Sequence, residues 1–215
     1  MLQGVDDELG MFSGLVRSID ARDLEAPTRC SGWTVRDVAA HVVGTVVDVT
    51  AGRLEGQGTP VVTERQASER RSRGTDELAD ELDEARPPLT AMLGALPSEM
   101  WAGPSLTDPT FTLGFAVEAL WYDAYVHGED LRAAVGLSPA RGAGLWCAVN
   151  HVAGYLEQRG WQPTTLRLDG LDTVAISGGG TEIVGDPLDF VLAATGRLDP
   201  SMIRLDRSIN IYTDV

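Results

Sequence analysis

Apolar residues recur at helical intervals through Leu9, Met11, Phe12, Leu15, Val16 and Ile19, and the stripe ends in the polar run Asp20-Ala21-Arg22-Asp23. That pattern predicts a first helix. Thr34-Val35-Arg36-Asp37 reads as a capping box, in which the Thr34 hydroxyl accepts from the amide three residues on and Asp37 answers back to the cap. A second helix is therefore expected from Thr34 to about Arg53. Residues 55–74 are rich in Gly, Arg and Glu with little period, and predict a mobile surface loop. A third helix follows from Asp76 to about Leu93, with Leu78, Leu82, Ala85, Leu89 and Met92 on one stripe and Pro87-Pro88 expected to kink or split it. Thr112 to Val135 carries a long helical pattern with Leu113, Val117, Leu120, Ala124 and Leu131 inward and Gly136 as its stop, and a fifth helix spans Ala143 to Gln158.

Past Gln162 the period changes. Thr165-Leu166-Arg167-Leu168, Val174-Ala175-Ile176 and Thr181-Glu182-Ile183-Val184 have strand character, and Gly178-Gly179-Gly180 reads as a hairpin turn. Pro187 opens a short helix, Leu188 to Thr195, closed by Gly196. The segments Ile203–Leu205 and Ile209–Tyr212 are expected either to add edge strands or to trail along the surface. The fold class is then an α-helical bundle of four to five antiparallel helices over residues 1–161, followed by a small α+β domain over residues 162–215. No internal repeat or low-complexity tract interrupts this plan.

Charge narrows the partners. The chain has 32 acidic against 17 basic residues, for a formal charge of -15, and every basic residue is arginine. Such a surface repels phosphate backbones and anionic membranes, so neither nucleic acid nor a membrane is an expected partner. The N-terminus lacks a basic and apolar leader pattern, and no stretch approaches the roughly 18 apolar residues of a membrane helix, so a cytoplasmic protein is expected, as monomer or homodimer. Cys30 and Cys147 lack C-x-x-C spacing and are expected to be free, mostly buried thiols.

Among the 3 histidines, His127 lies four residues after Asp123, which puts imidazole and carboxylate on one helix face. The same spacing also describes a surface ion pair. His41 sits between Ala39-Ala40 and Val42-Val43, where it reads either as a satisfied core histidine or as a third ligand. Together His41, Asp123 and His127 would give nitrogen and oxygen donors with open positions, the arrangement of a catalytic divalent metal. Spacing alone does not bring the helices together.

Two signatures add a resemblance. The run from Thr28-Arg29-Cys30-Ser31-Gly32-Trp33 through His41 to Gly44 resembles the opening signature of the mycothiol-dependent maleylpyruvate isomerase family, a branch of the DinB-like metalloproteins. Asp123 to Gly136 is similar to that family's E-x-x-x-H-G-x-D-L-x-x-A-x-G, and Gly185 to Arg197 to the end of its sterol-carrier-like C-terminal domain. The resemblance implies that His41, Asp123 and His127 hold a divalent metal, zinc first, with nickel, iron or manganese also compatible. Asp123 stands where the family usually has glutamate, a ligand shorter by one methylene, or about 1.5 Å.

The resemblance further implies mycothiol, the low-molecular-weight thiol of actinobacteria, as cosubstrate. A small electrophile would be isomerised from cis to trans or take up the thiol, and Arg197 would stabilise the enolate or bind a substrate carboxylate. Arg197 also reads as a surface arginine at a helix C-terminus. The alternatives are a metal-dependent hydrolase or lyase using water, and a non-catalytic binding or regulatory protein with a vestigial site. Asp130 and Arg132 read as local ion-pair or capping residues, Asp37 as a cap, Trp33 as packing at the start of the second helix and His151 as a core histidine. Cys30, just before a helix N-terminus, has no histidine at a recognisable spacing.

Overall fold

The computed structural model describes residues 1–213; residues 214 and 215 of the expected C-terminal domain lie outside the described residues. Contacts divide the chain into two compact units, the first Met1–Ala140 and the second from Arg141 onward. The first unit contains α1 (Leu2–Ser18), α2 (Val35–Thr50), α3 (Pro60–Ser68), α4 (Thr75–Gly94) and α5 (Leu113–Ala134). Helices α1, α2, α4 and α5 form the bundle, with α1 packed on α4 and α5, α2 packed on α4 and α5, and α3 laid against α2. Their shared core includes Leu9, Phe12, Val16, Val38, Val42, Leu78, Leu82, Leu89 and Leu131. Burial of such side chains contributes about 1.5–3 kcal/mol each, which is why amphipathic faces fix the arrangement. None of the helices among the described residues is long and apolar enough to cross a membrane.

The capping box is present as expected. Thr34 accepts from the Asp37 amide and the Asp37 carboxylate accepts from the Thr34 amide. Burial would raise the Asp37 carboxyl, but the Arg71 guanidinium and the Thr34 bonds outweigh it and hold it below its usual value.

Several expectations are corrected. The segment read as a loop contains α3, which starts with Pro60 at its first turn and buries Gln66 and Ala67. Its inner face is mostly polar, so it has no apolar stripe to read. Helix α4 runs through Pro87 and Pro88 without splitting. Both prolines, and Asp83 and Glu84 whose carbonyls lose an amide partner, are exposed, so water can take those carbonyls while Leu82, Ala85, Leu89 and Leu93 stay buried on the other face. Met11 and Met92, read on the inner stripes, are exposed.

The second unit holds α6 (Ala143–Gln158), β1 (Thr164–Leu168), β2 (Val174–Ile176), β3 (Thr181–Gly185) and α7 (Pro187–Ala194). Helix α6, expected in the bundle, packs on α7 and β2. The three strands run in the order β2-β1-β3, with Thr164 opposite Ile176 in an antiparallel pair and Leu166 opposite Ile183 in a parallel one. Because β2 and β3 flank β1, Gly178-Gly179-Gly180 is a crossing between the two edges and not a hairpin turn. Gly180 passes so close to Pro163 that a Cβ would lie 2.2 Å from its carbonyl oxygen, which leaves room only for glycine. Among the described residues, the last segment forms the 3-10 turns Pro200–Ile203 and Arg207–Ile209 and adds no strand. It is anchored by buried Ile209 and Ile211.

One buried acid gives this fold a pH signature. Glu8 on α1 accepts a 3.1 Å bond from the Trp121 indole N–H, and burial pushes its pKa up to about 7, against the lowering effect of that bond. Glu8 is then protonated in the fold but ionised when unfolded between its ordinary value of 4.5 and about 7. The unfolded state binds fewer protons in that window, so stability falls as pH rises through it, by up to about 3 kcal/mol. Glu8→Gln keeps an acceptor for Trp121 and is expected to flatten the slope; chemical unfolding of both proteins between about pH 5 and 8 measures it.

Candidate functional site

Three side chains from two bundle helices converge. His41 Nε2 lies 3.8 Å from Asp123 Oδ2, and His127 Nε2 lies 3.4 Å from Asp123 Oδ1. The two imidazole rings meet edge to face with centroids 5.2 Å apart. One donor atom from each of the three residues falls within 4.8 Å of the others. The expected meeting of α2 and α5 is therefore present, and Asp123 reaches both histidines despite its short side chain.

The far nitrogens of both rings are occupied. His41 Nδ1 lies 2.9 Å from Gln66 Oε1, while the Gln66 amide donates 2.8 Å to the Asp48 carboxylate, which fixes which end of that amide faces the ring. Asp48 is fully buried and also accepts from Arg53 and Arg65. Burial would raise its carboxyl, and these bonds outweigh that and hold it below the ordinary carboxylate range. His127 Nδ1 lies 3.1 Å from Asp130 Oδ2, a carboxylate with no exposed surface. In each neutral ring the proton thus belongs on Nδ1 and the lone pair on Nε2, facing Asp123.

The electrostatics favour a positive charge between Asp123 and the rings. Burial would raise the Asp123 carboxyl, but the charge and bond of His127, helped by His41, hold it well below the usual range. Burial would lower the His127 imidazole, but Asp123 and Asp130 push it well above its ordinary value. Two carboxylates thus surround one ring, and the position that holds a proton on Nε2 suits a cation equally. The Asp123 side chain is 27% exposed against 8% for His41 and 11% for His127, so solvent reaches the cluster on the Asp123 side. Trp33 covers another side, its ring 5.3 Å from that of His41.

Sequence reasoning missed three contributors. Gln66 lay in the supposed loop. Asp130, read as a local ion-pair residue, pairs locally but with His127. Cys30, which has no histidine at a recognisable spacing in the sequence, places Sγ 3.2 Å from Asp130 Oδ2 and 3.7 Å from His127 Nδ1. The only hint in the sequence was that Asp130 follows His127 by three residues. Arg132 pairs with Glu129 as expected, and His151 is buried in α6 of the second unit. Arg197 is in the second unit just after α7, half-buried, donating to the Thr195 carbonyl at 3.4 Å.

A family profile described as the mycothiol maleylpyruvate isomerase N-terminal domain matches residues 5–132. The chain belongs to that family. The matched segment covers α1 to α5 and holds His41, Gln66, Asp123, His127 and Asp130, so the cluster lies within the part that defines the mycothiol maleylpyruvate isomerase family. Among solved structures, the mycothiol-dependent maleylpyruvate isomerase is similar at a TM-score of 0.64 and 16% identity, over 96% of this chain and 93% of that one. A histidine-to-alanine mutant of that isomerase gives a TM-score of 0.62, with the same identity and coverage. These similarities establish a shared fold across both units. No curated protein matches by sequence.

The cluster of this maleylpyruvate isomerase family member depends on the close approach of α2 and α3. A Cβ on Gly44 would fall 2.6 Å from Gln66 Cβ. Gly→Ala within a helix ordinarily gains about 1 kcal/mol, whereas overpacking costs about 1–3 kcal/mol. Gly44→Ala is therefore expected to destabilise by up to about 2 kcal/mol and to shift Gln66 off His41. Thermal unfolding reads the first effect, and the nitrogen chemical shifts of the His41 ring read the second.

Proposed function

We propose that the chain is a metal-dependent enzyme that uses a low-molecular-weight thiol, mycothiol, as nucleophile, either as a cis-trans isomerase of the maleylpyruvate isomerase kind or as a thiol S-transferase. The observation that carries this reading is the convergence of His41 Nε2, Asp123 and His127 Nε2, each imidazole tied through its other nitrogen to a fixed acceptor. Two imidazoles and a carboxylate suit zinc first, and nickel, iron or manganese also. Carboxylate or amide partners on the far nitrogen are the usual support of metal-binding histidines. A divalent cation held there would bind a thiol as thiolate, lowering a pKa normally near about 8.5 so that a nucleophile exists at neutral pH.

The chain's own residues supply position and shelter. Gln66 and Asp130 hold the rings in one tautomer and one orientation, which removes the reorganisation that free imidazoles would need. Trp33 shields His41 from water, and the partly exposed edge of Asp123 is where a small molecule would enter. Arg197 is proposed to bind a substrate carboxylate, since a guanidinium fork matches that group and its place matches the arginine of the family's C-terminal element. The hydrolase and binding-protein alternatives gain no support from the family or the fold.

Elemental analysis of the purified chain is expected to find divalent metal. His41→Ala and Asp123→Asn should each weaken its binding by more than about tenfold, while Asp123→Glu retains it. Unchanged metal content in His41→Ala would sink the proposal. With cobalt bound, mycothiol should alter the visible spectrum, and a spectrum indifferent to thiol would count against the thiol half of the reading. Arg197→Ala should raise KM for a carboxylate substrate far more than it changes metal content, with Arg197→Lys recovering only part of the loss.

A further inference from the structure

A second group of donors shares His127. We propose that Cys30 Sγ, His127 Nδ1 and Asp130 Oδ2 form a second cation position, for a thiophilic divalent ion such as zinc or cobalt, with the His127 ring bridging it to the cluster of His41 and Asp123. The second position stands on its own donors; only the bridge rests on the metal reading given above.

The distances carry the case. Sγ to Nδ1 is 3.7 Å, Sγ to Oδ2 is 3.2 Å and Nδ1 to Oδ2 is 3.1 Å. Metal bonds of about 2.0–2.3 Å at tetrahedral angles put ligand atoms about 3.3–3.7 Å apart, so an ion fits with shifts of a few tenths of an ångström. The three atoms lie within 4.8 Å of one another and come from elements that are already fixed. Cys30 is held in the turn before α2, where its amide donates 3.1 Å to Thr28 Oγ1 and its carbonyl accepts 2.9 Å from the Trp33 amide. Asp130 and His127 share one face of α5.

Charge balance favours the same conclusion. The fully buried Asp130 carboxylate faces two hydrogen-bearing groups, the Cys30 thiol and His127 Nδ1. A dication entering there displaces both protons, one from sulfur and one from nitrogen, so the net charge of the buried pocket does not change. That avoids the large cost of adding an uncompensated charge to a protein interior. Cys30 is only half-buried, which leaves the ion a way in. A sulfur, nitrogen and oxygen donor set selects borderline-soft ions and disfavours magnesium and calcium.

Cobalt(II) titration of metal-stripped protein, without thiol reductants, tests the position. The expected result is two equivalents per chain, with a sulfur-to-cobalt charge-transfer band in the near ultraviolet; the His41, Asp123 and His127 cluster has no sulfur and gives none. Cys30→Ser should lose the band and one equivalent, Cys147→Ser should lose neither, and Asp130→Asn should weaken the ion behind the band by at least about tenfold. His41→Ala should keep the band, so failure of the first cluster is read separately. In the unmodified protein, zinc should slow alkylation of Cys30 by at least about tenfold. Absence of the band, its survival in Cys30→Ser, or an alkylation rate indifferent to zinc would each overturn the proposal.

Discussion

An imidazole with a carboxylate at each nitrogen is the constraint on which the site is built. His127 has Asp123 at Nε2 and Asp130 at Nδ1, and both are reached from its own helix, four residues before and three after. Such an arrangement is electrostatically unfinished. Two negative groups around one ring demand either a proton or a cation, and the raised imidazole and lowered carboxyl both express that demand. The helix can present it because Ala124 to Leu131 are buried without a break, so the ring has no freedom to turn away.

The other arm, at His41, is built differently. Its orientation passes through the neutral amide of Gln66 to Asp48, a carboxylate with no exposed surface. A buried charge of this kind costs several kcal/mol unless it is fully paired. Here Arg53 and Arg65 reach in from the surface while keeping 52% and 36% of their side chains exposed, which pairs Asp48 without burying the cations. The short helix α3 exists largely to deliver Gln66 and Arg65 to this point.

Much of this was legible in the sequence, and what was not has a physical reason. The capping box at Thr34 and the apolar stripes of α1, α4 and α5 follow local rules, so the bundle could be read from periodicity. The spacing of Asp123 and His127 gave one half of the cluster, and the signatures around His41 the other. Gln66 was hidden because α3 holds its place through hydrogen bonds and has no apolar stripe. Cys30 was hidden because its approach to His127 spans 97 residues and no spacing rule reaches so far. The prolines of α4 misled because a breaker on a solvated face costs less than the same residue facing a core. The glycine run misled because a turn looks the same in sequence whether it joins neighbouring strands or crosses between two edges.

The contrast between the two arms has a consequence for how the site answers its surroundings. Guanidinium groups do not lose their protons at any pH a cell meets, and the Gln66 amide does not titrate at all. The acceptor behind His41 is therefore a neutral amide, itself pinned to a carboxylate that two guanidiniums keep paired. The acceptor behind His127 is a carboxylate with no exposed surface, so one ring is oriented by a dipole and the other by a full charge.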